Sequence, residues 1–93
     1  MIRSFKDTET AKIFARQRSK KLSTDIQQVA LRKMRMLNNA LNLNDLRVPP
    51  ANRLEKLSGN RAGQHSIRIN DQWRLCFEWR DGDAYSVEIA DYH

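Results

Sequence analysis

The sequence predicts an α+β fold in which an N-terminal strand is followed by two helices that pack on a mostly antiparallel β-sheet. Two observations carry this prediction. Apolar residues follow helical spacing in the first half of the chain, and they alternate with polar residues in the second half. Turn-forming residues also divide the second half into consecutive short strands. Because 93 residues leave room for one modest core, we expect a single domain over residues 1–93.

The first elements are a short strand and a short helix. Alternation over Ile2–Phe5 predicts the strand, and Asp7 or Thr8 follows it as a helix-capping residue. The helix is expected to end between Arg16 and Lys21. These elements place a cation-rich stretch directly after the first helix.

The second helix has a clearer start. Ser23 or Thr24 can cap it, and Gln27, three residues after Thr24, completes the pattern of a capping box. The apolar residues of this helix form one stripe, whereas its cations Arg32, Lys33 and Arg35 are expected on the solvent side. The stripe consists of Ile26, Ala30, Met34, Leu37 and Leu41. Pro49-Pro50 excludes a helix beyond it.

Strands follow the two prolines. Period-two alternation predicts strands over residues 53–57 and 65–70, with turns at residues 58–60 and 70–72. A third strand puts its apolar residues on one face, and Asp81-Gly82 is a strong signal for a tight hairpin into the last strand. The apolar face of these two strands should hold Trp73, Leu75, Phe77, Trp79, Tyr85, Val87 and Ile89. The opposite sheet face is then polar, and Arg68, Asn70, Arg74 and the chain end can converge there.

Charge indicates the class of partner. The chain has 17 Lys and Arg against 11 Asp and Glu, and residues 1 to 35 alone hold ten basic and three acidic residues. Such concentration of like charge favours a polyanionic partner, of which a large RNA is one. No apolar run resembles a signal peptide or a membrane span, and the one cysteine, Cys76, has no partner. We therefore expect a cytoplasmic protein without membrane contact.

Several side chains of the second half could act on RNA. Arg74 follows a hairpin turn, where its planar guanidinium can present two donors to a phosphate. Tyr92 offers a ring on which a base can stack, and His93 titrates near neutrality. The two histidines and one cysteine lack zinc-site spacing, and nucleotide-binding and serine-hydrolase motifs are absent. We expect no metal and no cofactor.

Two segments carry a family resemblance. Residues 52–74, NRLEKLSGNRAGQHSIRINDQWR, and the terminal Asp91-Tyr92-His93 closely resemble the HigB branch of the RelE/ParE toxin superfamily, including its GraT-like members. Met1–Phe5 and Leu46–Pro50 also fit, so the resemblance covers nearly the whole chain. It implies a microbial RelE-like RNase fold and a toxin paired with a small helix-turn-helix antitoxin of the HigA kind. Through that antitoxin the toxin would contact operator DNA indirectly.

The resemblance also implies an activity. Toxins of this kind cleave messenger RNA in the ribosomal A site without a metal. The ribose 2′-oxygen attacks the adjacent 3′-phosphate and leaves a 2′,3′-cyclic phosphate and a 5′-hydroxyl. The protein must align the nucleotide, stabilise a crowded phosphorane and move two protons. We therefore expect a ribosome-dependent endoribonuclease that inhibits translation.

The matching positions suggest the roles of individual residues. Arg74 corresponds to the arginine that stabilises the phosphate. Asp91, Tyr92 and His93 correspond to the terminal triplet that positions the substrate and transfers protons. RNA contacts are expected from Arg61, Arg68, Asn70 and Lys56 around the site, and from Lys20 and Lys21 on the basic half, which would dock on ribosomal RNA.

Three positions depart from the more active relatives. Those relatives have a histidine at position 55, a lysine at 58 and an arginine at 70, where this chain has Glu55, Ser58 and Asn70. Loss of one stabilising donor commonly lowers turnover by about 100-fold to 1,000-fold, so we expect a mild nuclease. Lys56 and Arg68 could compensate, and Glu55 is a candidate general base.

Two other functions fit the same fold. One is inhibition of DNA gyrase, as in the ParE branch, for which the sheet face need not be catalytic. The other is a non-catalytic module that binds RNA or the antitoxin. Fold alone does not choose among these functions.

Overall fold

The computed structural model describes residues 1–91, and within them two α-helices precede a four-stranded antiparallel sheet. The helices are α1, Thr8–Phe14, and α2, Thr24–Asn39. The strands are β1, Glu55–Lys56, β2, Gln64–Arg68, β3, Trp73–Arg80, and β4, Asp83–Asp91, paired in the order β1-β2-β3-β4. This arrangement confirms the predicted α+β fold.

The N-terminal segment lies beside β4 in parallel orientation. Ile2 and Phe5 form isolated bridges to Ala84 and Val87, so the predicted first strand is a pair of contacts and not a continuous ladder. The backbone N–H of Arg3 donates to the Ala84 carbonyl at 2.8 Å. These parallel contacts make the arrangement mostly, and not wholly, antiparallel.

Helix α1 is shorter than predicted. Asp7 caps it, since the Asp7 Oδ1 accepts from the Thr10 N–H at 2.7 Å. The helix ends at Phe14, because Arg16 has a φ of 62°, in the left-handed region. The prediction that the helix reaches residues 16 to 21 is therefore wrong, and those residues form a connecting loop.

Gln27 serves that loop and not a capping box. Ser23 caps α2 by accepting from the Ile26 N–H at 3.4 Å. The Gln27 amide instead donates to the carbonyls of Ser19 and Leu22, at 2.9 and 2.6 Å, and accepts from the Ser19 N–H. The predicted pairing of Gln27 with Thr24 is therefore wrong, and Gln27 orders the cation-rich loop.

The core lies between the helices and one face of the sheet. Its fully buried members include Met34 and Leu37 of α2, and Leu75, Phe77 and Val87 of the sheet. Trp73 and Trp79 pack against this cluster, as the alternation predicted. The stripe of α2 stops short of Leu41, which is 85% exposed after the helix end.

Lys33 is the second departure on α2. The side chain was expected on the solvent side, but only 7% of the residue is exposed. Ala30 precedes Lys33 by three residues and Leu37 follows it by four, so helix geometry places all three on the same, inward side of α2. The charged Lys33 side chain can be buried because its ammonium donates to a buried partner, the side chain of Asn52.

A β-bulge in β4 changes which face Tyr85 occupies. Cys76 pairs with Glu88 and Glu78 with Tyr85, so β4 carries one more residue than β3 between these pairs. Ser86, with a φ of 53°, is the residue within the bulge. Tyr85 is consequently turned away from the helices, where the guanidinium carbon of Arg80 lies 4.1 Å from its ring centroid. The prediction that Tyr85 joins the apolar face is wrong.

The turns explain the remaining strand limits. Asp81 and Gly82 have φ values of 51° and 83°, as the predicted tight hairpin requires. Arg53 has a φ of 45°, which is incompatible with an extended strand, so β1 is limited to two residues. Among residues 1–91, no helix is both long and apolar enough to cross a membrane.

Candidate active site on the outer face of the sheet

Arg74 is the centre of the polar sheet face that is turned away from the helices, which we call the outer face. It lies on β3, which has a strand on each side, and it pairs with Arg68 of β2 and Ala90 of β4. Only 8% of the residue is exposed. A buried guanidinium needs acceptors on its donors, and the neighbouring strands supply them.

Two neighbours orient the guanidinium. The Arg74 Nε donates to the Ser66 Oγ at 2.7 Å, and one terminal nitrogen donates to the Arg53 carbonyl at 2.6 Å. Ser66 itself is fully buried. Because the two acceptors bind different nitrogens of a planar group, they fix its direction as well as its position.

Glu55 lies near the other terminal nitrogen of Arg74. Its Oε1 is 3.9 Å from that nitrogen, and the carboxylate is about half exposed, on strand β1. In the sheet register Glu55 faces Ser66, which places all three side chains on the outer face. The structure thus brings the candidate general base next to the candidate phosphate-stabilising cation.

Arg68 and Asn70 lie at the turn next to this centre. Arg68 is the register partner of Arg74, and its guanidinium contacts the Asp71 carboxylate. The Asn70 Oδ1 accepts from the backbone N–H groups of Gln72 and Trp73 at 2.9 and 2.8 Å. Asn70 therefore shapes the β2–β3 turn, a role that its sequence position also suggested.

Arg61 joins the outer face from the loop before β2. Its guanidinium contacts the Glu88 carboxylate and donates to the Gln64 side chain at 3.1 Å. Lys6 also approaches Glu88, at 3.6 Å. Glu88 thereby connects a loop cation and a cation of the N-terminal segment to strand β4.

The last described residue, Asp91, ends β4 close to the centre. It pairs with Trp73, the neighbour of Arg74 in the chain, and its Oδ2 accepts from the Gln72 side chain at 3.2 Å. The other two members of the predicted terminal triplet, Tyr92 and His93, lie outside the described residues. Trp73 packs on the helix side of the sheet, so the register turns the Asp91 side chain toward that side and away from the face that carries Arg74.

Three predicted RNA-binding residues lie away from this centre. Lys56 pairs with His65, and the alternation of β1 turns it toward the opposite sheet face from Glu55. Lys20 and Lys21 are exposed in the loop between α1 and α2. Lys21 lines a pocket with Trp73 and Ile89 on the helix side of the sheet, which is the opposite face from Arg74.

Burial is the main cause of the shifted pKa values of two strand residues, His65 and Cys76. Burial, with a smaller effect of the Lys56 charge, lowers the pKa of His65, whose ring lies 6.2 Å from that of Phe77. Burial also raises the pKa of the Cys76 thiol, which packs with Leu57 and Ala90 on the outer face. His65 and Cys76 are both held neutral near pH 7, which suits packing roles.

Sequence reasoning missed Ser66 and the Arg53 carbonyl. Ser66 had a usable signal, because alternation places it on the same face as Arg68 and one strand away from Arg74. The carbonyl had none, since its direction depends on the left-handed backbone of Arg53. Within residues 1–91, no three His, Cys, Asp or Glu side chains are grouped so that they could hold a metal ion.

The arrangement of Arg74 and its neighbours suits a phosphate group that gains negative charge during a reaction. A guanidinium that is already oriented can accept developing charge on phosphate oxygens without reorganising during the reaction. Glu55 is close enough to share the same substrate group and can accept a proton. The geometry therefore fits attack on a phosphodiester with proton transfer by side chains.

Comparison with known proteins gives the chain a family. Residues 3–93 match the family described as "RelE-like toxin of type II toxin-antitoxin system HigB". Toxin HigB-1 of Vibrio cholerae serotype O1 is 42% identical over 72 residues, which are 77% of this chain and 76% of that protein. Endoribonuclease HigB of Proteus vulgaris is 42% identical over 41 residues, 44% of this chain and 45% of that one.

Solved structures confirm the fold. A mutant of YafQ from E. coli superposes with a TM-score of 0.66 at 15% identity, over 98% of this chain and 91% of that one. YoeB–YefM from Staphylococcus aureus gives 0.57 at 18% identity, over 100% and 98% of the two chains. With the match over residues 3–93, the chain belongs to the HigB family of RelE-like toxins from type II toxin–antitoxin systems.

Proposed function

We propose that this toxin is a ribosome-dependent endoribonuclease that cleaves messenger RNA in the A site and so inhibits translation. The observation that carries the proposal is the orientation of the buried Arg74 by Ser66 and the Arg53 carbonyl, at 2.7 and 2.6 Å. Family membership and the name of the Proteus vulgaris relative, Endoribonuclease HigB, support the same activity.

In this reaction the ribose 2′-oxygen attacks the adjacent phosphorus, and the bond to the 5′-oxygen of the next nucleotide breaks. Arg74 stabilises the extra negative charge of the phosphorane. Its 8% exposure supports this role, because a charge–charge interaction is stronger where water is largely excluded. The products are a 2′,3′-cyclic phosphate and a 5′-hydroxyl.

Proton transfer requires one group that accepts the 2′-proton and one that donates to the leaving oxygen. Glu55 is one candidate acceptor, because its carboxylate lies 3.9 Å from Arg74. Asp91 and His93 are the others.

We propose two macromolecular partners for the rest of the surface. The cations of the α1–α2 loop, among them Lys20 and Lys21, dock on ribosomal RNA, whose phosphates attract an exposed basic surface. The second partner is a helix-turn-helix antitoxin of the HigA kind, through which the toxin reaches operator DNA. Membership of a toxin–antitoxin family supports an antitoxin. Ribosome and antitoxin would both be met in the cytoplasm.

The activity is expected to be mild. Glu55, Ser58 and Asn70 stand where more active relatives carry cations, so fewer positive groups face the phosphorane. Arg68 compensates in part from the position beside Arg74. Its contact with Asp71 limits this compensation, because a neighbouring carboxylate reduces its effective charge.

The products test the chemistry. A short labelled messenger is translated in a reconstituted reaction with purified toxin, and the fragment ends are identified by enzymatic end-labelling. A 5′-hydroxyl opposite a cyclic phosphate supports the proposal, whereas a 5′-phosphate refutes 2′-oxygen attack. If no fragment forms, a DNA supercoiling assay decides between a gyrase inhibitor and a module that only binds.

A further inference from the structure

The buried pair Lys33 and Asn52 joins helix α2 to the turn that leads to the active site. Asn52 is fully buried and Lys33 is 7% exposed. The Lys33 ammonium donates to the Asn52 Oδ1 at 2.5 Å. Removing a lysine from water is unfavourable, and a methionine would fill similar space without that penalty. The ammonium therefore has a use beyond packing.

Asn52 also forms hydrogen bonds to the chain around it. Its Nδ2 donates to the carbonyls of Leu46 and Val48, at 3.1 and 3.4 Å. Its own backbone N–H donates to the Pro49 carbonyl at 2.9 Å. The side chain thus uses both ends of its amide, one toward α2 and one toward the preceding loop, and holds the short 3₁₀ turn Pro50–Asn52 between them.

The next residue in the chain reaches the active site. Arg53 has a left-handed φ of 45°, and its N–H donates to the Pro50 carbonyl at 3.0 Å. That backbone direction aims the Arg53 carbonyl at Arg74, whose terminal nitrogen donates to it at 2.6 Å. A shift of the turn would move this acceptor, and the guanidinium would move with it.

We infer that Lys33 and Asn52 are positioning residues that fix the Arg53 carbonyl and, through it, the guanidinium of Arg74. The inference rests on the proposed function only for its effect on cleavage, since the geometry of Arg74 can be measured by itself. Burial, with the charges of Arg32 and Arg68, lowers the pKa of Lys33. The lowered pKa agrees with the surroundings of the ammonium, which donates to an amide oxygen and, within residues 1–91, forms no ion pair with a carboxylate.

The test follows the Arg74 Nε–H signal in NMR spectra of the ¹⁵N-labelled full chain, assigned by its loss in Arg74→Lys. Lys33→Met should shift this signal and speed its exchange with solvent by about tenfold, because the Lys33–Asn52 hydrogen bond no longer restrains the turn. Asn52→Asp keeps an acceptor for Lys33 but removes the donor to the loop carbonyls, so it should shift the signal as well. Arg32→Met is the matched control, since it removes a cation from the adjacent, exposed position of α2 and should leave the signal unchanged.

Cleavage supplies the second readout. Small misplacements of a catalytic group lower turnover by up to about 100-fold, so Lys33→Met should reduce maximal cleavage about tenfold while the half-saturating ribosome concentration stays the same. An unchanged Arg74 signal in either folded variant would overturn the inference. Failure of both variants to fold would also overturn it, because a positioning role leaves the fold intact. If instead Arg74→Ala cleaves normally, the proposed function fails, and the signal still decides the inference.

Discussion

The Nε of Arg74 and the hydroxyl of Ser66 form a 2.7 Å hydrogen bond across strands β2 and β3, and both residues are almost completely buried. This bond joins the proposed phosphate-stabilising cation to an uncharged neighbour that does not offset its charge. A carboxylate in the place of Ser66 would hold Arg74 equally well but would reduce the potential available to a phosphorane.

Ser66→Ala should therefore impair catalysis while preserving the fold. The variant leaves a buried guanidinium donor without its acceptor, which should lower the free energy of unfolding by about 1 to 3 kcal/mol. Maximal cleavage should fall about tenfold, because Arg74 loses the hydroxyl acceptor of its Nε–H and its plane is held less firmly. Urea unfolding and single-turnover cleavage measure the two effects, and Ser86→Ala, in the β4 bulge, is a control of the same chemistry away from Arg74. Equal cleavage by Ser66→Ala and the native chain would contradict the role.

Glu55→Gln tests the candidate general base. The amide has nearly the same shape but cannot accept the 2′-proton, so single-turnover cleavage should fall by about 100-fold if Glu55 is the base. Glu78→Gln, on the same sheet face, removes an equal charge farther along β3 and should have little effect. Unchanged cleavage by Glu55→Gln would exclude Glu55 as the base and leave Asp91 and His93 as the candidates.

Restoring a cation should have opposite consequences at Ser58 and Asn70, two of the three positions that depart from more active relatives. Ser58 is exposed and its side chain makes no capping hydrogen bond, so Ser58→Lys adds charge without breaking a cap and should raise cleavage several-fold. Asn70→Arg removes the oxygen that two turn N–H groups share. Its unfolding free energy should fall by about 1 to 2 kcal/mol, which thermal unfolding will detect. A stable Asn70→Arg variant or an inactive Ser58→Lys variant would refute this interpretation.

The α1–α2 loop is expected to govern ribosome affinity. Changing both Lys20 and Lys21 to Glu should weaken binding and make its salt dependence less steep, by about 0.7 to 0.9 in the log–log slope for each phosphate that the loop no longer neutralises. Arg47→Glu, at an exposed position outside the loop, is the control. Binding measured by sedimentation at several salt concentrations checks the slope. An unaltered slope would exclude the loop from the docking surface.

His65 predicts how stability responds to acid. Its pKa in the folded chain is below the ordinary value of 6.5, so the unfolded chain binds the proton more readily. The stabilisation is present above about pH 6.5 and is lost as the pH falls toward the folded pKa. His65→Gln should remove this part of the pH dependence. Urea unfolding from pH 5 to 8 measures it, and parallel pH profiles for the two proteins would contradict the assignment.

Much of the fold could be predicted from the sequence because its signals were local. The stripe of α2 as far as Leu37, the Asp81-Gly82 turn and the alternation of β3 each need only neighbouring residues, and the structure confirms them. Tyr85 could not be placed in this way. The extra residue of the β4 bulge depends on pairing with both β3 and the N-terminal segment.

The candidate site divides in the same manner. The position of Arg74 on the polar face followed from alternation, and the resemblance suggested its role. The Arg53 carbonyl that accepts from Arg74 and the burial of Lys33 could not be predicted, because they depend on residues about 20 positions apart that meet only in the folded chain. Residue type was misleading for Lys33, since a lysine on a helix is usually at the surface.

Primer extension on a defined messenger would decide whether Arg74 acts in ribosome-dependent cleavage. The reconstituted translation reaction contains the native chain or Arg74→Ala, each with and without ribosomes, and circular dichroism first establishes that the variant is folded. We predict new stops within A-site codons only with ribosomes and the native chain, and a loss of about 100-fold to 1,000-fold in Arg74→Ala. Equal stops from the folded variant would contradict the role of Arg74, and stops that do not require ribosomes would contradict ribosome-dependent cleavage.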